Sequence, residues 1–164
     1  MWIAVCLGAG LIAVAGLGAL SGRHRASLAL QAVGAFVMAV GAVAVFAGGG
    51  PVGAGFRSGV HPAFGLDALS GFFLLVLCVV ALPAVVYARD ALPAGRGSAA
   101  LAALTAAFVL AMAGLVAARD VTSFLVCWEL MTLIPAAAML VARQDEEVRR
   151  AVIVYVGITH VGAV

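Results

Sequence analysis

From Ser98 to Ala118 the chain carries no charged residue, and Trp2 to Ser21 and Ser27 to Ala47 are equally bare. An apolar helix of about 20 residues is what the hydrocarbon core of a bilayer, about 30 Å thick, requires. Two further runs, Leu66 to Ala88 and Val121 to Ala142, have the same length and almost the same purity, each with a single acidic residue. A sixth apolar stretch spans 151–164 and is too short to cross. The composition agrees: 66% of residues are hydrophobic and 10% charged, with a mean hydropathy of +1.24. A soluble domain has about 25% charged residues. The expected fold class is all-α: one polytopic transmembrane helix bundle over residues 1–164, with five full spans and a truncated sixth.

The first span has no basic residue before it and is longer than the apolar core of a secretory leader, so it reads as a helix of the mature protein. The formal charge of +2 comes from nine arginines, no lysine and seven acids, gathered in short clusters between spans. That is loop spacing rather than a nucleic-acid-binding face. Arg23, Arg25, Arg89, Arg96, Arg143, Arg149 and Arg150 fall on one side of the membrane, against Arg57 and Arg119 on the other. The positive-inside bias then places the amino terminus outside, in a cell inner (plasma) membrane. The longest connector, from Gly48 to Gly65, is rich in Gly and Pro and reads as an outer loop or short hairpin. His61 within it is expected to be an exposed loop residue.

Small residues recur at four-residue intervals in Ala99, Ala103, Ala107 and Ala111, and in the pairs Ala4/Gly8 and Ala35/Ala39. Such stripes let helix backbones approach closely where lipid gives no hydrophobic drive, and their role is structural. Cys6, Cys78 and Cys127 lie in three different spans and form no ligand motif, so no metal, cofactor or disulfide is expected. No phosphate loop or dinucleotide fingerprint is present.

One side chain breaks the pattern in a way that suggests chemistry. Glu129 is the only charged residue between Asp120 and Arg143. A carboxylate at mid-bilayer costs roughly 3 kcal/mol or more, faces protein or water, and marks ion paths. At about 1.5 Å per residue it lies roughly 12 Å into the fifth span. Desolvation disfavours a charged carboxylate, so a carboxyl at that depth is suited to exchanging a proton. Thr122, Val126, Glu129, Thr132 and Ala136 share a helix face, which makes Thr122 and Thr132 candidate polar neighbours. Pro135 removes a backbone donor beyond them and is expected to bend the helix. His160, in the short sixth stretch, is the second candidate, since imidazole is the side chain that exchanges protons in the neutral range. Arg119 and Asp120 are expected to be boundary charges that cap helix ends and meet headgroups or water. The run from Arg143 to Arg150 reads as a solvated connector that opens the sixth helix.

Three stretches together resemble a known family: Asp67-Ala-Leu-Ser-Gly-Phe-Phe-Leu-Leu75, Ala118-Arg-Asp-Val-Thr-Ser-Phe-Leu-Val-Cys-Trp-Glu-Leu-Met131, and Tyr155 to Gly162. They look like the antiporter-like proton-translocating membrane subunits shared by respiratory complex I, membrane-bound hydrogenases and Mrp-type cation/proton antiporters. The wording is nearest the hydrogenase-4 component B or formate hydrogenlyase type, and Trp128-Glu129-Leu130-Met131 is its most specific part. The likeness covers about residues 60–164. It implies a non-redox membrane subunit whose partners are the other membrane subunits of a respiratory or hydrogenase complex. It also implies that Glu129 works with a lysine on a later, broken helix. This chain has no lysine, so the expectation is the amino-terminal part of a larger subunit, with the missing partner elsewhere. The alternatives are an Mrp-type component exchanging Na+ for protons, and a non-transporting structural subunit.

Overall fold

The computed structural model describes residues 1–48 and 50–161. In chain order the elements are α1 (Trp2–Ala19), α2 (His24–Gly48), β1 (Val52–Gly53), β2 (Gly65–Leu66), α3 (Ala68–Ala91), α4 (Arg96–Ala117), α5 (Val121–Ala142) and α6 (Glu146–Val161). The first five helices are each long and apolar enough to cross a membrane. The chain is a multi-pass, all-α membrane protein.

Where the boundaries differ from those expected, capping chemistry explains the larger shifts. The third helix begins at Ala68 because the Asp67 side chain accepts from Ser70 N–H at 2.8 Å as its N-cap. The sixth begins at Glu146, five residues before the apolar stretch at 151. Asp145 accepts from Val148 N–H at 3.0 Å, and Glu146 and Glu147 then occupy the first turn, where carboxylates suit the helix dipole. The acidic run is thus helix start as well as connector. Residues 162–164 of the expected sixth segment lie outside the described residues.

α1 and α2 pack most tightly, and glycine decides how. A Cβ on Gly8 would stand 2.6 Å from the Gly34 carbonyl oxygen, and one on Gly34 would stand 2.8 Å from the Gly8 carbonyl oxygen. The two backbones touch where both side chains are missing. On the other flank of α1, Gly16 receives Ala106 of α4, with 2.7 Å to its Cβ. The buried positions of α4 are Ser98, Ala99, Ala102, Ala106, Val109 and Ala111. Of the expected stripe Ala99 and Ala111 are buried, and Ala103 and Ala107 are half-buried. A four-residue step advances about 400° around a 3.6-residue helix, so a strict four-residue stripe turns steadily and cannot follow one contact line.

Leu28, Met38, Val45, Leu74 and Val85 form the buried interior along α2 and α3. α5 and α6 lie on the open side of this core. Among the described residues α5 buries only Ser123, Thr132 and Ala136, and α6 only Val152. The connector from 50 to 66 carries the expected hairpin in minimal form, with Val52 opposite Leu66 and Gly53 opposite Gly65. Gly53 holds φ +91°, open to glycine at little cost.

Candidate functional site

Glu129 and His160 meet. His160 Nε2 lies 2.8 Å from Glu129 Oε2, joining α5 to α6 across the open side of the bundle. α5 places Glu129 there by rotation. Cys127 faces α4, its Sγ filling the space over Gly114, and two residues further on the helix has turned about 200° away. Glu129 therefore points toward α6 and not into the five-helix interior, and its side chain keeps 40% exposure, with 42% for His160.

The second ring nitrogen shows how many protons the contact holds. His160 Nδ1 is 2.9 Å from the Val156 carbonyl oxygen one turn earlier. A carbonyl only accepts, so Nδ1 carries a hydrogen. Nε2 and Oε2 at 2.8 Å would repel if both were bare, so one proton lies between them. The pair is then either imidazolium with carboxylate or neutral imidazole accepting from a carboxylic acid. Both forms are overall neutral and differ only in the position of that proton.

Thr132 lies one turn beyond Glu129 and is buried, but its hydroxyl donates to the Glu129 carbonyl oxygen at 2.8 Å. Its proton is committed to the backbone, so it supports the helix beside the carboxyl without extending a relay from it. Thr122 is half-buried in the first turn of α5 and makes no side-chain hydrogen bond among the described residues. It stands roughly 10 Å along the helix from Glu129. α5 continues through Pro135 to Ala142. His61 is exposed in the connector between α2 and α3, as its sequence context implied.

The helix ends beside the 50–66 connector hold a second polar cluster that sequence reading placed at the surface. Arg119 and Asp120 are each 5% exposed. Arg119 donates to Ser70 Oγ at 2.7 Å and pairs with Asp67 Oδ2 at 3.4 Å, while Phe56 lies beneath its guanidinium at 4.7 Å. Asp120 caps α5 through Ser123 N–H and reaches Ala63 N–H at 2.7 Å. Arg119 N–H donates back to the Ala63 carbonyl at 2.8 Å. These contacts sew the connector to α3 and to the α4–α5 turn. The Ser70 N–H, with help from Arg119, holds the Asp67 carboxyl below the usual carboxylate range against the opposing effect of burial. The Ser123 hydroxyl and N–H do the same for Asp120, aided by Ala63. Charges at helix boundaries suggested capping, which Asp120 performs. Their burial follows from the connector folding over them, which hydropathy does not register.

No protein-family model matches this chain, and no curated protein matches it.

Proposed function

We propose that the chain is a proton-translocating, antiporter-like membrane subunit of a redox-driven complex, in which Glu129 and His160 exchange and pass on a proton within the bilayer. The supporting observation is their 2.8 Å contact, made by the two side chains that sequence chemistry had singled out separately. A neutral pair that shares one proton becomes cationic when it takes up a second on one side and returns to neutrality when it releases one on the other, so the charge, costly in lipid, exists only in transit. The residues resembling hydrogenase-4 component B and formate hydrogenlyase subunits support the same reading and give the expected partners, neighbouring membrane subunits. The arginine bias supports an outer amino terminus in an inner (plasma) membrane.

A second reading also has an observation behind it. Among the described residues this pair is the polar side-chain link between α5 and α6, so it could serve only to hold the two helices together. Conservative variants separate the two. Glu129→Gln and His160→Gln retain polar groups able to hydrogen-bond across the contact but cannot exchange its proton. With the chain in its native membrane, vesicle proton flux is expected to fall at least about tenfold in either variant, equivalent to about 1.4 kcal/mol on the barrier. Subunit assembly on native gels is expected to stay unchanged. Unchanged flux with weakened assembly would establish the scaffold role instead.

A further inference from the structure

A second polar line runs through the opposite half of the bundle. His24, Ser27 and Gln31 lie three and four residues apart on one face of α2, with exposures of 5%, 5% and 1%. Ser27 Oγ donates to the Ala15 carbonyl of α1 at 2.7 Å. Gln31 Nε2 donates to Ser27 Oγ at 3.1 Å and to the Ala102 carbonyl of α4 at 2.9 Å.

These bonds fix the amide. Turning it over would set Oε1 against the Ala102 carbonyl and against a hydroxyl whose hydrogen is already given to Ala15. Oε1 therefore faces away from both, and there it is buried with no partner. His24 Nε2, nearer the Arg23–Arg25 turn, is likewise buried and unpartnered. Beside it a shallow surface depression of about 280 Å³ is lined by Gly22, Arg23, His24, Arg25 and Ala26. Two orphaned polar atoms on one helix face, with an opening at one end, are what an ordered water line would satisfy.

We infer that water occupies the seam between α1, α2 and α4, donating to Gln31 Oε1 and meeting His24 Nε2, and enters through the opening beside His24. The chemistry selects water over an ion. An anion would face a carbonyl oxygen, and a cation would need several free oxygens where Ser27, Ala15 and Ala102 are already engaged by donors. Water also serves either tautomer of His24, because it can donate or accept. Gln31 lies roughly 10 Å along α2 from His24, about a third of the hydrocarbon thickness. Solvent thus reaches well into the bundle from the arginine-rich end, independently of the Glu129–His160 pair.

The sequence makes the test clean. Gln31 and Gln144 are the only glutamines and there is no asparagine, so ¹⁵N-glutamine labelling gives two side-chain amide signals, with exposed Gln144 as the hydrated reference. In water-edited solid-state NMR of the full chain in lipid bilayers, magnetisation is expected to pass from water to the Gln31 amide nearly as fast as to Gln144. In a second, uniformly ¹³C,¹⁵N-labelled sample, Leu28 and Ala35, on the same helix, should receive it slowly. In Gln31→Leu the transfer to Ser27 is expected to be lost while that to His24 remains. Transfer to Gln31 as slow as to Leu28 would show a dry seam and overturn the inference, as would transfer that stops at His24. The wild-type measurement decides even if the variant does not fold.

Discussion

At the residue scale, the cost of a carboxyl in lipid is managed by sharing. Glu129 meets an imidazole whose other nitrogen is tied to the backbone of its own helix, so one proton lies between the two groups. The clasp around Arg119 works by a different principle, since its carboxylates are stabilised in the charged form. Asp67 and Asp120 are both held below the ordinary carboxylate range, so their contribution is fully present above the unfolded-chain value of about 3.9 and is lost as pH falls through the lower folded values. Protection of the 52–66 amides, taken relative to the intrinsic exchange rate at each pH, is therefore expected to be flat from neutral pH to about pH 4 and to fall below it. A clasp insensitive to acid would contradict this. Arg119→Met should lower stability by about 2 kcal/mol, less than the 3–5 kcal/mol of a fully buried pair, because the half-exposed Asp67 can rehydrate. Unfolding of the variant in mild detergent measures it.

At the element scale, small residues set the distances between helices. Gly8 and Gly34 bring the α1 and α2 backbones into contact, and no side chain can be added there without moving a backbone. Gly114 of α4 differs in kind. A Cβ there would stand 2.8 Å from Cys127 Sγ, the end of one side chain. Gly114→Ala is expected to cost about 1–3 kcal/mol as overpacking. Combining it with Cys127→Ala should recover most of that loss, whereas Gly8→Ala should not be rescued by any single truncation. A double-mutant cycle on thermal unfolding reads the coupling directly; additive losses at 114 and 127 would show that the helices do not meet there. The sequence signalled small-residue packing in general. The identity of the contacts depends on helix rotation, and a four-residue stripe drifts off the seam too quickly to predict it.

At the scale of the whole molecule, five helices form a bundle whose core lies along α2 and α3, while α5 and α6 remain on its open flank. The two polar assemblies inside the spans sit on opposite flanks: the Glu129–His160 contact between α5 and α6, and the His24–Ser27–Gln31 line between α1, α2 and α4. The orientation implied by the arginines is directly measurable. A single exposed cysteine at Ser58, introduced with Cys6, Cys78 and Cys127 replaced by alanine, is expected to react with an impermeant maleimide on intact cells. Labelling only after membrane disruption would reverse the topology.

Length, hydropathy and the positions of charge by themselves determined that this chain makes five helices able to cross a membrane and roughly where each runs, and they singled out Glu129 and His160 as candidates for chemistry. Those properties are local, because a span is a count of apolar residues and a buried ionisable group is conspicuous wherever it falls. Only the tertiary structure decided that Glu129 faces α6, that His160 is its partner, and that Arg119 and Asp120 are buried beneath a folded connector. Each of these depends on how one helix is rotated against another. That rotation is set by shape contacts such as Gly114 against Cys127, between residues far enough apart in the chain that no sequence pattern links them.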